Sequence, residues 1–422
     1  MEEKPGLRRA LISLQHRDFR LLFFSQVIAG VGGQLLNVSN YWQVYALTGS
    51  AVALALTGIS RAVPIILFSL IGGVVADRID RRKIIVSTQL GQAAIAISLA
   101  LLSLTGLIQV WHIYLAVFLN NTFTSASGPA RQAVVATVVP RQHLVNATAL
   151  TSLVQQTNGI LAPAIAGFLI AFAGTAATYG INGVTCLVNA TTLMLVTTSL
   201  VPPRRDQKSP LHDLTEGLHF VAKERSVLLV IMLMDLAALG GGSFIVLLPL
   251  IAGRFDVGAA GFGLLSSAPA VGSFLAATVL LSMGDFRHKG LIIAGGFVAY
   301  GTSLAGLGLA PWFPLALVAA VGLGLSDSLQ GITRNAIIQI LSPDEFRGRV
   351  QSLRSMMILG GSSIGQGILG GLASVMGPAA ALASAGAFCI LVNLSMVASR
   401  KDLRSRDLGV PVDAPPVGAP AR

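Results

Sequence analysis

Two acids, Asp235 and Asp327, stand deep inside long apolar stretches, where a carboxylate is costly enough to need a reason. Each is a candidate to exchange protons, so that a bound molecule and a proton compete for one site. On a helix Asp327 shares a face with Gln330 and Arg334, three and seven residues further on. Seven residues is about 10 Å of helix axis, so a contact between acid and base needs a long Arg reach or a bridge through Gln330. The three equally suit a structural polar cluster, and Asp235 a hydrogen-bonded structural role. A second constellation is polar and uncharged. Gln26, Gly30, Gly33, Asn37 and Tyr41 recur at helical spacing with Gln34 beside them, and Asn120 and Asn121 interrupt another apolar run. Side chains of this kind either face a wet cavity or bond one helix to the next. Arg61, also inside an apolar run, needs a partner or a wet cavity.

A third constellation is a charged turn, Asp77-Arg78-Ile79-Asp80-Arg81-Arg82-Lys83, preceded by Gly72 and Gly73. The runs on either side, 51–76 and 84–106, are each long enough to cross hydrocarbon, so the turn joins two spans. The glycines allow close helix approach, and the charges can pair across a gap between helices as well as hold topology.

The elements that must position these groups are membrane helices. Of 422 residues 53% are hydrophobic and 11% charged, with a mean hydropathy of +0.74, which excludes an ordinary soluble domain. Windows of eighteen or more largely apolar residues give twelve spans, starting near 21, 51, 84, 110, 144, 176, 226, 258, 290, 312, 349 and 378. The expected fold is all-α, with twelve transmembrane helices. The first twenty residues are polar and carry Lys4, Arg8, Arg9, Arg17 and Arg20, so the first span is expected to act as its own insertion signal.

The net charge of +11 follows topology. Lys and Arg concentrate in the termini and in the loops after even-numbered spans, while Arg254 is the clear exception on the opposite side. By the positive-inside rule both termini are cytoplasmic and the chain is a multi-pass protein of the cell's inner membrane. No basic stripe has interleaved aromatics, so nucleic acid is not an expected partner. The two cysteines, Cys186 and Cys389, lie inside spans and read as buried thiols. The six histidines show no metal-ligand spacing, and no phosphate-binding glycine loop occurs. No metal, cofactor or enzymatic activity is expected, because no nucleophile with its base appears within the spans.

The chain also reads as duplicated. Arg131, Ala133 and Pro140 recur 203 residues later as Arg334, Ala336 and Pro343, and the same offset relates Leu150 to Leu353, Gly167 to Gly370, Leu169 to Leu372, Gly174 to Gly377 and Cys186 to Cys389. Duplication of a six-span unit gives two halves of the same orientation, enclosing one cavity at the midplane. The expected organisation is an N-terminal half over 1–200, a cytoplasmic linker with an amphipathic helix over 201–225, a C-terminal half over 226–399 and a disordered tail over 400–422.

The charged turn resembles the Gly-x-x-x-Asp-Arg-x-Gly-Arg-Arg signature of the major facilitator superfamily, matched by Gly73, Asp77, Arg78, Arg81 and Arg82, with Asp80 in place of Gly. Leu47-Thr48-Gly49-Ser50, Pro129-Ala130-Arg131 with Pro140, and Pro343-Asp344-Glu345-Phe346-Arg347-Gly348-Arg349-Val350 look like the branch of enterobactin exporters and macrolide efflux proteins, where Asp is usual at the position of Asp80. The segment Ala162-Pro163-Ala164-Ile165-Ala166-Gly167 is similar to the superfamily's antiporter motif with two glycines replaced, and serves equally as a packing kink; the superfamily's intramembrane arginine motif of span four is not evident.

The resemblance implies a major facilitator fold with a cavity lined by spans one, four, seven and ten. It assigns Gln34, Asn37, Tyr41, Asn120 and Asn121 to that cavity, and Gly73, Asp77, Arg78, Arg81 and Arg82 to a cytoplasmic gate closing near Gly348. The membrane acids Asp235 and Asp327, with Arg334, are the candidates for proton coupling on their placement in apolar spans, and Gln330, on the face of Asp327, is expected in the cavity. The implied activity is export of amphipathic small molecules, drugs or siderophores, by a monomer in the lipid bilayer that exchanges them for protons. A lysophospholipid or metabolite carrier is the alternative within transport, and a non-transporting scaffold or receptor the alternative outside it.

Overall fold

The computed structural model describes residues 12–201, 230, 232–234, 243–283, 289–342 and 344–399; for 69–78, 283, 289 and eight positions between 344 and 359 it describes the backbone alone. The linker beyond 201, Asp235 and the tail from 400 lie outside the described residues.

The described residues are helical almost throughout, with no strand among them. After a short 3-10 turn at Ile12–Gln15 come α1 (Arg17–Thr48), α2 (Ala51–Arg78), α3 (Arg81–Leu104), α4 (Val110–Val138) and α5 (Leu144–Met194). A 3-10 turn at Arg141–His143 precedes α5, and another, Phe244–Leu247, leads into α6 (Leu248–Arg254), followed by α7 (Gly258–Met283), α8 (Lys289–Leu309), α9 (Phe313–Leu341) and α10 (Asp344–Ser399). Eight of these helices are long and apolar enough to cross a membrane. Val110–Val138 is not among the eight, for its asparagines dilute an otherwise apolar run.

Local chemistry sets the helix ends. Gly49 takes a left-handed φ of 59° and closes α1 by donating its N–H to Tyr45 O at 2.7 Å, the glycine C-cap that a Cβ would penalise. Asp80 caps α3 by accepting from the Arg82 N–H at 2.9 Å. Gln109 and His112 cap α4 reciprocally, the Gln109 N–H donating to His112 Nδ1 at 3.0 Å. Helices α5 and α10 run for 51 and 56 residues, more than twice the roughly 20 that span hydrocarbon. Each is broken once by a glycine, Gly174 (φ 73°, ψ 174°) and Gly377 (φ 82°, ψ 158°), in a conformation only glycine adopts freely. These two glycines lie 203 residues apart, and so do both ends of α4 and α9.

The chain divides into two compact units, 1–207 with 252–267, and 208–251 with 268–422. In the first, α1 and α3 pack on α5, and α2 and α3 pack on α4. Phe19, Ile84, Ala130, Val134, Ala147 and Leu193 form its dry core at one end. In the second, α8 packs on both α9 and α10. The polarity is inverted relative to a soluble protein. Large apolar side chains such as Phe172, 87% exposed, point outward, while Asn40, Gln89, Asn182, Gln330 and Asn393 are buried. Helices satisfy their own backbone, so an apolar exterior can face lipid while polar side chains collect inside.

Candidate functional site

Within the first unit those inward polar groups meet around a cavity of about 330 Å³. Helix α1 supplies Asn37, Asn40 and Tyr41, which share a face because they sit three and four residues apart. Helix α2 supplies Thr57 and Arg61, and α3 supplies Gln89 and Gln92 at i, i+3. Helix α4 contributes Asn120, Asn121, Thr124 and Arg131, and the part of α5 beyond Gly174 contributes Asn182 and Cys186.

Part of this lining is tied down. Gln92 Nε2 donates to Asn120 Oδ1 at 2.7 Å and to Thr124 Oγ1 at 3.0 Å, and Asn121 Nδ2 donates to its own helix at Val117 O, 2.7 Å away. Arg131 Nε donates to Ser127 Oγ at 3.2 Å. Asn40 Oδ1 and Asn182 Oδ1 are buried with no hydrogen-bond partner among the described residues. The lining includes two arginines and no Asp or Glu.

Of the residues the sequence points to, Asn37, Tyr41, Asn120 and Asn121 line this one cavity. Gln34 is half-buried on α1 outside the lining, and Gln330 belongs to the second unit. There Gln330 is fully buried, with no partner for its amide among the described residues, while Arg334, 3% exposed, stacks over the Phe297 ring at 4.9 Å. Asp327, on the same helix, is exposed, and the buried Tyr300 of α8 lies within electrostatic reach of both Asp327 and Arg334. The sequence gives no signal for Tyr300, because only the packing of α8 on α9 brings it there.

At the end of the first unit where its dry core lies, the charged turn is built into the fold. Arg82 Nη2 donates to Val196 O at 2.7 Å and to Thr198 O at 3.0 Å, and Arg81 Nη1 donates to Thr137 Oγ1 at 3.3 Å. Gly73, Asp77 and Arg78 fall on the last turns of α2, and their side chains lie outside the described residues. Asp18 is a residue that sequence reasoning missed. Its carboxylate accepts from the backbone N–H groups of Thr197 and Thr198, at 3.1 and 2.8 Å, and from Thr198 Oγ1 at 2.6 Å. Beside it His16 Nε2 and His143 Nδ1 stand 3.0 Å apart. These contacts span more than a hundred residues of chain, so no local pattern announces them.

A helical bundle apolar outside and polar within, enclosing a cavity of small-molecule size, is the build of a multi-pass membrane transporter. The chain belongs to the transmembrane secretion effector family of the major facilitator superfamily, the family model matching residues 9–410. It is 27% identical over 413 residues to the enterobactin exporter EntS of Shigella boydii, covering 96% of this chain and 97% of that protein. It is 26% identical over the same length to EntS of Escherichia coli O139:H28, with the same coverage.

Among solved structures, a POT family transporter in complex with 5-aminolevulinic acid superposes with a TM-score of 0.75 at 12% identity, covering 92% of this chain and 97% of that one. The nucleoside transporter NupG gives 0.72 at 10% identity, covering 90% and 98%. A bacterial homologue of the human lysosomal transporter Spinster, inward-facing and unoccupied, gives 0.63 at 16% identity, covering 94% and 95%. At these identities the structural likeness establishes the fold. With the family it makes this chain a transporter held in the inner membrane by several helices.

Proposed function

We propose that the chain is a secondary exporter of amphipathic small molecules, siderophores or drugs, working by alternating access and driven by proton influx. The observation that carries this reading is the polar cavity of about 330 Å³ inside an apolar bundle. The likeness to enterobactin exporters over nearly the whole chain supports export as the direction. Asn37, Tyr41, Asn120 and Asn121 contact cargo there, while Gln34 and Gln330 serve the cargo path from outside this cavity. Each proton entering yields about 2.3 kcal/mol per 100 mV of membrane potential.

The transporter works as a monomer of twelve spans in two parallel six-span halves, with the linker and both termini in the cytoplasm. The 203-residue spacing of both ends of α4 and α9, and of Gly174 and Gly377, supports that duplication. Asp235, Asp327 and Arg334 couple protons; the shared electrostatic neighbour Tyr300 supports a linked Asp327 and Arg334. Gly73, Asp77, Arg78, Arg81 and Arg82 form the cytoplasmic gate, a reading supported by the grip of Arg82 on the 196–198 segment. For Asp77→Asn we expect normal membrane insertion with transport reduced at least about tenfold, equivalent to about 1.4 kcal/mol on the transport barrier. Wild-type rates in that variant would sink the gate assignment.

The direct test is accumulation of labelled macrolides, dyes and catecholate siderophores in an efflux-deficient bacterium expressing this chain, with and without a protonophore. Reduced accumulation that the protonophore restores is the expected result, and Asp327→Asn should lose it while still inserting. Unchanged accumulation across the panel would overturn the export reading in favour of a lysophospholipid or metabolite carrier.

A further inference from the structure

Arg61 and Arg131 bring two guanidinium groups into the lining of the first unit's cavity, and that lining includes no Asp or Glu to balance them. The sequence has no Asp or Glu between Asp18 and Asp77, nor between Asp80 and Asp206. The nearest acid along α2, Asp77, is sixteen residues from Arg61, about 24 Å of helix axis, and Asp80 is engaged as the cap of α3. Among the described residues of this unit the ion pair is Arg17 with Asp18, 3.9 Å apart, remote from the cavity. Arg131 has the neutral Ser127 hydroxyl as its hydrogen-bond partner.

A guanidinium does not shed its charge, so both groups remain cationic where water is scarce and lipid surrounds the bundle. Such a charge is tolerated where a counter-charge arrives, and a fork of N–H donors suits a carboxylate or phenolate above all. The rest of the lining fits the rest of such a molecule. The Asn40 and Asn182 amides, both at most 5% exposed and each with an oxygen lacking a partner among the described residues, can bond its hydroxyl groups. Tyr41 is part of the same lining, and about 330 Å³ is at the small end of ligand pockets, room for one substituted ring or a piece of a larger cargo.

From this we infer that the cavity between α1, α2, α3, α4 and α5 selects small hydroxylated organic anions, gripped by Arg61 and Arg131. The inference rests on the reading of this cavity as the cargo site and narrows it to one charge class. Cationic amphiphiles are repelled by the same two charges.

Three ligands on one skeleton test it: 3-hydroxybenzoate, the neutral 3-hydroxybenzamide and the cationic 3-hydroxybenzylamine. Each is titrated by ligand-observed NMR against the full chain in phosphatidylcholine nanodiscs. The benzoate should bind at least about tenfold tighter than either analogue, and Arg61→Gln or Arg131→Gln should each weaken it at least about tenfold. Arg61→Lys and Arg131→Lys, which keep the charge, should preserve the order of preference, and the thermal midpoint of every variant identifies any that fails to fold. Equal binding of the three ligands, preference for the amine, or binding of none overturns the inference. Displacement of the benzoate by added phosphatidylglycerol would also overturn it, assigning the arginines to a lipid headgroup. If the amine binds and is exported by cells, export stands and the anion site falls. If the benzoate binds as expected but is not exported, the anion site stands and export falls.

Discussion

Gly324→Val is expected to abolish folded protein. In the second unit α9 crosses α7 with backbone against backbone: a Cβ built on Gly324 lands on the Pro269 carbonyl and stands 2.6 Å from Pro269 Cα. On the facing helix a Cβ at Gly272 would fall on Val321 O and stand 2.6 Å from Leu325 N. The Ser273 hydroxyl completes the seam by donating to Gly324 O at 3.3 Å. Membrane helices have little hydrophobic drive to associate, so close approach through small residues carries the contact. No flexible side chain is there to yield, and the helices must separate, at a cost above about 3 kcal/mol. Fluorescence-detected size exclusion of a tagged variant should show the monodisperse peak lost. Gly331→Ala on the same helix is the control. A Cβ there meets nothing within 4 Å, so the variant should be neutral or, from helix propensity, up to about 1 kcal/mol more stable. A Gly324→Val protein of wild-type yield and melting would refute the backbone seam.

Asp18→Ala should give the second largest effect, a loss of about 2 to 4 kcal/mol. Hydrogen bonds to a charged acceptor are worth about 1.5 to 3 kcal/mol each, and those made by one carboxylate do not add fully. Asp18, 8% exposed, accepts from two backbone N–H groups and two hydroxyls of Thr197 and Thr198. Removing it leaves the N–H groups of Thr197 and Thr198 without these acceptors, while Arg82 still holds the carbonyls of Val196 and Thr198 from the other side. Thermal unfolding in detergent should shift down by several degrees, with Asp18→Asn intermediate because its amide oxygen still accepts. An unchanged midpoint for Asp18→Ala would show that the segment after α5 is held without the carboxylate.

Much of the helical framework was legible because lipid imposes a simple rule on sequence. Spans expected from 51, 110, 144 and 258 correspond to helices beginning at Ala51, Val110, Leu144 and Gly258. The span expected from 176 appears instead as the continuation of α5, since the chain turns on the left-handed Gly174 without leaving helical hydrogen bonding for long. Hydropathy measures apolar length and does not register a single residue's φ. The cavity was half legible. Asn37, Tyr41, Asn120 and Asn121 announced themselves as polar residues in apolar runs. Gln89 and Gln92 are polar residues in an apolar run too, though no motif singles them out, and Arg61 calls for a partner or a wet cavity, yet which of these share a space is a matter of helix rotation. Gln34, three residues before Asn37, lies outside the cavity lining for that reason.

What the sequence alone determined is the membrane class, the superfamily signature around Asp77 and Arg82, and the charge inventory, including the absence of any acid between Asp80 and Asp206. These are properties of composition and order along the chain. Only the tertiary structure decided that Arg61 and Arg131, seventy residues apart, line one cavity, and that Asp18 reaches Thr198. It also set Gly324 against Pro269 with no room for a methyl group. Each of those depends on how helices rotate and cross, which is fixed by packing summed over whole faces, and no short stretch of sequence carries that sum.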